Sequence, residues 1–363
     1  MARALRLAAR GLTTTQPNPR VGCVLARDGQ IVGEGWHEFA GGPHAEINAL
    51  EQAGDAARGA DCYVSLEPCN HHGRTPPCSE ALIRAGVARV VAATTDPDPR
   101  TAGAGLQKLA AAGIDTACGL LEPQARELNR GFVLRLTRER PYVRCKQALS
   151  VDGRTAMASG ESKWISGEAA RLDVQRLRAR SCAVLTGIGT VLADDPRLDV
   201  RHLDMPRRRP LRVVLDRRLR MSADARMLGL PGRVLIFTCN IDNSIKHGML
   251  IGAGAEIVVL PEPDFANGVL RYLAGQEQVN EVLVEAGATL TGALLQAGLI
   301  DELILYQAPV IMGDAARGLF HLPQLQHMRD RMELKLLESR RIGADLRLRL
   351  AVARGDGMNG ENH

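Results

Sequence analysis

Two short stretches of sequence decide the fold of the N-terminal half. Residues 43–46 are Pro-His-Ala-Glu, and residues 67–78 are Glu-Pro-Cys-Asn-His-His-Gly-Arg-Thr-Pro-Pro-Cys. His44, Cys69 and Cys78 offer one imidazole and two thiolates, the three protein ligands of a zinc site whose fourth position stays open for water. Glu46 has a carboxylate that can take a proton from that water and deliver it to a leaving amine. Alone, His44 would be an ordinary histidine and Cys69 a buried thiol, but the combination predicts a catalytic Zn²⁺ site.

The order of these residues is typical of one class of enzyme. A His-x-Glu triplet followed by Pro-Cys and a second cysteine is the pattern of zinc nucleobase deaminases. Here eight residues separate Cys69 from Cys78, rather than the two of the short Pro-Cys-x-x-Cys form. This spacer, residues 70–77, is rich in hydrogen-bond donors and includes Arg74. It is either a solvated polar loop or a segment that contacts a substrate phosphate or base.

Length and composition indicate a globular chain with two domains. The chain has 363 residues, of which 45% are hydrophobic, and its formal net charge is +5. At about 150 residues per domain, this length suggests two domains. The charge is spread along the chain and aromatic residues are 3% of it, so we expect no nucleic-acid surface. No apolar run approaches the roughly 18–20 residues of a membrane helix, so we expect no membrane partner.

The N-terminus allows two interpretations. No acidic residue precedes Asp28, whereas Arg3, Arg6 and Arg10 are basic, a composition typical of a mitochondrial transit peptide. Alternatively, the apolar residues between 5 and 12 form the first amphipathic helix of the domain. We favour the helix, because the motif PNPRVGCV at residues 17–24 follows without a linker. We find no export signal and expect a cytoplasmic enzyme.

The eight cysteines do not predict a disulfide framework without an export signal. Cys69 and Cys78 are expected to bind metal. The remaining six are expected to be buried, since most of them lie in apolar, strand-like runs: Cys23, Cys62, Cys118, Cys145, Cys182 and Cys239.

Alternating strand and helix patterns predict two unlike α/β domains. In residues 1–140 we predict a hairpin at 21–26 and 31–36, helices at 44–53, 78–85 and 103–112, and strands at 62–66, 88–93 and 114–118. In residues 141–354 we predict strands at 143–148, 183–186, 211–215, 234–238, 257–260 and 282–285, helices at 167–180, 266–274 and 290–299, and closing strands at 302–307 and 346–351, interpreted as antiparallel. Residues 355–363 are expected to be a disordered tail.

The second domain has no G-x-G-x-x-G motif after its first strand, so an ordinary Rossmann site is not supported. Two glycine-containing corners lie between a predicted strand and a helix, at residues 185–190 and 284–292. The second corner places backbone N–H groups and threonine hydroxyls at a helix N-terminus, where a pyrophosphate can bind. Either corner alone is more often a simple tight turn.

The chain as a whole resembles the bifunctional riboflavin-biosynthesis deaminase–reductases. In the first half the resemblance is carried by PNPRVGCV, HAE and EPCNHHGRTPPC. It implies a cytidine-deaminase-like, three-layer α/β domain that uses zinc-activated water to remove the 2-amino group of 2,5-diamino-6-(5-phosphoribosylamino)pyrimidin-4-one. His44, Cys69 and Cys78 would hold the zinc, Glu46 would shuttle the proton, and Asn18 would bind the pyrimidine. Asn before Pro is also a common turn former.

In the second half the resemblance is carried by KQALSVDGRTA at 146–156, GESKWIS at 160–166, TVLADDPRL at 190–198 and VEAGATL at 284–290. It implies a dihydrofolate-reductase-like domain that reduces the ribosyl chain to ribityl with NADPH. The implied cofactor contacts are Ala148, Trp164, Thr190, Asp194 and the corner formed by Gly287, Ala288, Thr289, Leu290, Thr291, Gly292 and Ala293. The implied substrate contacts are Ser162, Arg178, Leu198, Arg201 and Glu285.

Physical considerations support several of these roles and leave alternatives. Arg178 and Arg201 can clamp a phosphate in bidentate fashion, but they can also be solvated arginines. Trp164 can stack on a flat ring or pack in a core. Arg217 can meet the 2′-phosphate of NADPH, although relatives often have a smaller polar residue there. Lys146 can orient or protonate the opened sugar, or simply reach solvent.

Two other functions compete with this prediction. One is a nucleoside or tRNA base deaminase with an appended binding domain; the other is a structural zinc module, which would need a fourth protein ligand such as His71 or His72. The balanced charge and the long spacer argue against the first, and the finding of only three ligands argues against the second. The family resemblance also suggests a homodimer or a homotetramer.

Overall fold

The structure is a computed structural model that describes residues 1–71, 76–99, 101–203, 209–240 and 244–353. The chain forms two compact units, Met1–Arg140 with Gln278–Asn280, and Pro141–Glu277 with Glu281–His363. The tail predicted at 355–363 and the central spacer residues 72–75 lie outside the described residues. In the described part of the chain, no helix has the length and apolar character needed to span a membrane.

The first unit is built on one five-stranded sheet with helices on both faces. Its strands are β1 (Gly22–Arg27), β2 (Gln30–Trp36), β3 (Asp61–Val64), β4 (Arg89–Ala92) and β5 (Asp115–Cys118). Its helices are α1 (Ala2–Ala8), α2 (Ala45–Ala53), α3 (Cys78–Ala85), α4 (Ala104–Ala111), α5 (Glu122–Leu128) and α6 (Arg130–Arg138), and short 3₁₀ turns occur at Ala9–Thr13 and Gly54–Ala57. The sheet order is β2-β1-β3-β4-β5; β1 pairs antiparallel with β2 and β3, whereas β3, β4 and β5 are parallel.

Alternation along β1 explains the layers. Val24 packs with Ala4 and Leu7 of α1, whereas its neighbours Cys23 and Leu25 point to the opposite face and join the core shared with α2 and α3. The N-terminal segment is therefore a helix of the domain, as the sequence predicts. The helices lie close to the strands because glycines face them. A Cβ on Gly22 would overlap the backbone of α1, and one on Gly35 would overlap the backbone of α2.

The second unit contains a nine-stranded sheet and a separate two-stranded ribbon. Its strands are β6 (Tyr142–Leu149), β7 (Arg154–Ala156), β8 (Ala183–Gly187), β9 (Leu211–Leu215), β10 (Val234–Thr238), β11 (Ala255–Val259), β12 (Glu281–Val284), β13 (Glu302–Gln307), β14 (Arg317–Gly318), β15 (Leu334–Ile342) and β16 (Asp345–Val352). Its helices are α7 (Glu168–Arg180), α8 (Ile188–Asp194), α9 (Ser244–Gly252), α10 (Phe265–Gly275) and α11 (Ala288–Gln296), with a 3₁₀ turn at Met328–Asp330.

The order of the large sheet is β11-β10-β9-β8-β12-β6-β13-β16-β15, and β7 and β14 form a separate ribbon. The strands from β11 to β13 are parallel, and β16 pairs antiparallel with both β13 and β15, so the predicted antiparallel closing strands are confirmed. Parallel strands β6, β8 and β12 end at the same edge. The segments that follow them therefore lie close together, where open α/β sheets bind ligands.

Some elements were not predicted, and the burial of two cysteines needs correction. The unpredicted elements are helices α5, α6 and α9 and strands β7, β14 and β15. β15 is missed because most of its side chains are exposed, which removes the alternation that marks a half-buried strand. Cys118 is exposed and Cys239 is half-buried, contrary to the expectation of burial. Cys118 ends the edge strand β5, whose outer residues contact solvent.

Candidate functional sites

Three secondary-structure boundaries bring the predicted zinc ligands together. His44 is the residue before α2, Cys69 follows the loop after β3, and Cys78 is the first residue of α3. The Nδ1 atom of His44 lies 3.2 Å from Sγ of Cys78 and 3.5 Å from Sγ of Cys69. Among the described residues, these three form the one group of His, Cys, Asp and Glu side chains whose ligand atoms all lie within 4.8 Å of one another. One imidazole and two sulfurs at this spacing fit Zn²⁺.

The electrostatics of the site favour a thiolate and a proton carrier. The backbone N–H of Cys78 donates to Sγ of Cys69, and hydrogen bonding from the Cys78 side chain, followed by the bond to His44, lowers the pKa of Cys69 to about 4. Glu46, in the first turn of α2, is 3% exposed. Burial raises the pKa of Glu46 to about 7, where a carboxyl can both accept and release a proton.

Asn18 is held beside this site by a histidine that the sequence analysis missed. The Asn18 amide donates to Nε2 of His37 over 3.0 Å, so Nδ1 of His37 carries the proton and donates to the carbonyl of Pro43 over 2.9 Å. The His37 ring also meets the His44 ring edge-on, with centroids 5.5 Å apart. Burial lowers the pKa of His37, which favours this neutral form. Its place one residue beyond β2 was the available signal.

The first two residues of the spacer contact α3, the start of α4 and the segment before α4. Asn70 donates from Nδ2 to the carbonyl of Ala104 and accepts from Ser79 Oγ. Nδ1 of His71 lies 3.3 Å from Oγ1 of Thr101. His71 therefore faces the β4–α4 loop and is outside the ligand cluster. His72, the other candidate fourth ligand, lies outside the described residues.

In the second unit, a buried charged cluster joins three predicted residues. Arg178 of α7 makes a two-pronged ion pair with Glu285, at 2.6 and 2.9 Å, and a third bond to the carbonyl of Asp199. Lys146 of β6 interacts electrostatically with both members of the pair. Burial lowers the pKa of Lys146, Glu285 opposes this effect and Arg178 adds to it. The charges of Arg178 and Lys146 outweigh burial and lower the pKa of Glu285.

The corner after β12 is only partly open to a ligand. Gly287, Thr289 and Ala293 are exposed, and Ala288 and Leu290 are half-buried. Thr291 is fully buried: its hydroxyl accepts from Nε2 of Gln147 and donates to the carbonyl of Ala286. Gly292 is buried where a Cβ would overlap the carbonyl of His321. The corner thus offers the backbone at the start of α11, while Thr291 and Gly292 hold its shape.

Gln147 is a second residue that the sequence analysis missed. Its buried amide donates to the carbonyl of Ala286 over 2.8 Å and to the hydroxyl of Thr291 over 2.9 Å, so it joins β6 to the corner. Its place between Lys146 and Ala148, inside a matched motif, was the signal that could have identified it.

The other predicted residues lie on several elements of the second unit. Trp164 is 73% exposed and stacks under the Arg171 guanidinium at 4.7 Å. Asp194 ends α8, and its carboxylate lies 4.0 Å from Lys163 Nζ, so it reaches the loop that carries Ser162 and Trp164. Ser162, Thr190 and Ala148 are half-buried, Leu198 is buried, and Arg201 and Arg217 are exposed. The Arg217 guanidinium stacks on the ring of Phe265, 5.2 Å from the ring centroid.

Comparison with known proteins gives both halves a family. Residues 1–94 match the cytidine and deoxycytidylate deaminase zinc-binding region, and residues 141–348 match the RibD C-terminal domain. The riboflavin biosynthesis protein RibD of Escherichia coli (strain K12) is 49% identical over 368 residues, covering 97% of this chain and 98% of that protein. The chain belongs to the RibD family.

One further relative and two solved structures agree with this assignment along nearly the whole chain. RibD of Haemophilus influenzae is 46% identical, over 96% of this chain and 95% of that protein. A structure of Acinetobacter baumannii RibD has 47% identity and a TM-score of 0.91, covering 97% and 98% of the two chains. A Thermotoga maritima structure, with 33% identity, a TM-score of 0.86 and 97% of both chains covered, is named a diaminohydroxyphosphoribosylaminopyrimidine deaminase/5-amino-6-(5-phosphoribosylamino)uracil reductase.

Family membership confirms the predicted α/β class, with an N-terminal zinc-binding deaminase domain and a C-terminal reductase domain. The chain is a bifunctional deaminase–reductase of riboflavin biosynthesis.

Proposed function

We propose that residues 1–140 remove the 2-amino group of 2,5-diamino-6-(5-phosphoribosylamino)pyrimidin-4-one and that residues 141–354 reduce the ribosyl chain of the product with NADPH. The name of the Thermotoga maritima relative describes this pair of activities for that protein. The observation that carries the proposal is the cluster of His44, Cys69 and Cys78 with the buried carboxyl of Glu46 beside it.

In the deaminase site, His44, Cys69 and Cys78 would hold Zn²⁺, which supplies a nucleophile at neutral pH by lowering the pKa of water. Glu46 accepts the proton of that water and passes it to the exocyclic amine, which leaves as ammonia. A carboxyl with a pKa of about 7 suits both transfers. Asn18, oriented by His37, binds the pyrimidine.

In the reductase site, bound NADPH would supply the hydride for the ribosyl carbon, and the chain's residues would orient the cofactor. The backbone of Gly287, Ala288 and Thr289 at the start of α11, where Gly287 and Thr289 are exposed, binds the pyrophosphate. Trp164 stacks on a flat ring, and Arg217 meets the 2′-phosphate. The remaining cofactor contacts of the proposal are Ala148, Thr190, Asp194, Leu290, Thr291, Gly292 and Ala293, of which Thr291 and Gly292 act by shaping the corner.

Lys146 provides the proton that the opened sugar oxygen needs when hydride is added to the adjacent carbon. Its burial destabilises the ammonium form, which makes the proton easier to transfer. Glu285 and Arg178 orient the sugar of the substrate. Arg201, which is exposed, contacts the substrate phosphate together with Ser162 and Leu198.

The test uses the full-length enzyme and two variants. Incubation with the diaminopyrimidinone phosphate is expected to release ammonia without NADPH and to yield the ribityl product with NADPH. Glu46→Gln is expected to retain zinc, to lose about 10²–10⁴-fold in deamination rate, and to oxidise NADPH normally when given the deaminated compound. Lys146→Met is expected to release ammonia at the wild-type rate and to lose NADPH oxidation with the deaminated compound. Unchanged ammonia release by Glu46→Gln would refute the assigned role.

The competing functions predict other results. A structural zinc module requires a closed site with four protein ligands, so zinc spectroscopy reporting a fourth protein ligand would favour it. A tRNA base deaminase requires RNA binding that weakens steeply with salt. We propose a small-molecule substrate and no nucleic-acid partner, so a salt-titrated RNA-binding assay is expected to show no specific binding.

We also propose that the chain forms a homo-oligomer in the cytoplasm. A cavity of about 490 Å³ in the second unit is lined mainly by apolar residues from α11, β13, β15 and the segment before β15. Met328, which lines it, is 77% exposed, and Leu336 and Leu337, further along β15 than the lining residue Leu334, are 57% and 43% exposed. A second copy that covers this surface would remove apolar area from water. Sedimentation of the wild type as a dimer or tetramer, and of Leu336→Arg as a monomer, would support it; a monomeric wild type would refute it.

A further inference from the structure

Glu67, the first residue of the Glu-Pro-Cys motif, has a carboxylate with an unusual set of partners. The side chain is 3% exposed. Its Oε1 atom accepts from the backbone N–H groups of Gly105 and Leu106, at 2.9 and 3.2 Å. Its Oε2 atom accepts from those of Gly103 and Asp96, at 2.9 and 3.1 Å. Four backbone donors from one segment therefore converge on a single buried carboxylate.

These bonds fix the loop between β4 and α4 at both ends. Asp96 is near the start of the loop, whereas Gly103, Gly105 and Leu106 form its end and the first turn of α4. The backbone N–H of Glu67 also donates to the carbonyl of Thr94. The N–H groups in the first turn of a helix have no acceptor within the helix, so the Glu67 carboxylate satisfies those of Gly105 and Leu106. Its negative charge is also stabilised by the positive end of the helix dipole.

The fixed loop lies beside the zinc ligands. Strands β3 and β4 are adjacent and parallel, so the segments that follow them share one edge of the sheet. The segment after β3 carries Glu67 and Cys69, and the described residues that follow β4 include 94–99 and 101–103. The two are in contact, since a Cβ on Gly105 would overlap the carbonyl of Pro68 and His71 meets Thr101. Ligands of open α/β sheets bind at this edge.

We propose that Glu67 is a positioning residue of the deaminase site, which holds the segments at 94–99 and 101–103 as the wall that the phosphorylated pyrimidine contacts. Glu67 acts through this loop and touches neither the metal nor the reacting atoms. The inference rests on the proposed deamination. It adds a residue to the described ligands and proton carrier.

The test is Glu67→Gln in the full-length enzyme, with Glu80→Gln as the matched control. A glutamine keeps the size but can accept with one atom only, and its NH₂ group opposes two of the four N–H donors. We expect one zinc per chain, a rise of about tenfold or more in KM for the pyrimidine, and a kcat within about threefold of the wild type. Glu80 of α3 bonds to Lys108 of α4 from a more exposed position, so its variant is expected to keep the wild-type KM.

A purely structural role would lower the amount of active enzyme, and hence kcat, without changing KM, so an unchanged KM for Glu67→Gln overturns the inference. Hydrogen exchange gives a readout that needs no activity: the amides of 96 and 103–106 are expected to exchange faster in the variant, and equal protection would also overturn it. If Glu67→Gln does not fold, Thr101→Val, which removes the contact to His71, is expected to raise KM, and an unchanged KM there overturns the inference. A wild type that releases no ammonia would instead refute the proposed deamination.

Discussion

The Arg178–Glu285 pair allows a prediction about stability. Both side chains are nearly buried, with 11% and 13% of their surface exposed, and they are joined by two hydrogen bonds. In Glu285→Gln one of these bonds loses its acceptor and the guanidinium remains buried without a counter-ion. Breaking a buried pair costs about 3–5 kcal/mol, and we expect the lower value because glutamine preserves the shape. For a domain of about 200 residues, 3 kcal/mol corresponds to a decrease of roughly 6–12 °C in Tm.

The same substitution predicts a shift in the pH dependence of reduction. Burial lowers the pKa of Lys146, and the negative charge of Glu285 opposes this effect. Without that charge, the pKa of Lys146 falls further. If the Lys146 ammonium supplies the proton, the reduction rate declines as pH rises through this pKa, so the alkaline limb of kcat/KM must move to lower pH in Glu285→Gln.

The assays are thermal unfolding and NADPH oxidation with the deaminated substrate across a pH series. Glu256→Gln is the control, because Glu256 and Arg233 form an ion pair of which about half is exposed, worth about 0–1 kcal/mol. If the variant reduces too slowly to assay, the pH dependence of Lys146 acylation reports the same pKa. An alkaline limb that stays in place or moves to higher pH would refute the role of Lys146, and an unchanged Tm would refute the calculated cost.

Three further substitutions have defined outcomes. In Gly35→Ala the new Cβ overlaps the backbone at the start of α2, so we expect a loss of about 1–3 kcal/mol and less bound zinc, measured by thermal unfolding and metal analysis. Gln147→Leu leaves polar groups of the β12–α11 corner unpaired, so KM for NADPH should rise while ammonia release is unchanged in steady-state assays. Arg144→Met removes the guanidinium paired with the buried carboxylate of Glu281, while Glu302 keeps its ion pair with Arg349, and the substitution should cost about 3–5 kcal/mol. Without that guanidinium the pKa of Glu281 would be raised in the folded state, so urea denaturation should show this loss growing as pH rises above the unfolded value of about 4.3.

Local patterns predicted the elements whose residues alternate between core and solvent. The hairpin of β1 and β2, the helix after His44 and the helix starting at Cys78 lie within one or two residues of the predicted positions. Helix α6, which has three arginines among its nine residues, was not predicted. Strand β15 was missed because its pairing with β16, rather than burial of one face, keeps it in the sheet.

The partners of the site residues could not be predicted, because they are distant in the sequence. Arg178 and Glu285 are 107 positions apart, and nothing near either residue indicates that the guanidinium contacts a carboxylate. In the same way, Thr291 was predicted from its place at a helix start, but its hydroxyl is used by Gln147, 144 positions away. Motifs identify residue types suited to a reaction, whereas the free donors and acceptors depend on tertiary contacts.

Each domain stabilises one buried carboxylate by different means. In both, the partners of the carboxylate suit the charge of the neighbouring site. Glu67 is two residues from Cys69 and is held by four neutral N–H groups. A guanidinium in their place would compete with a metal ion for the Cys69 thiolate. Glu285 is instead paired with Arg178, so the pair is neutral as a whole. It therefore stabilises the Lys146 ammonium less than a free carboxylate would, which leaves the lysine proton available for transfer.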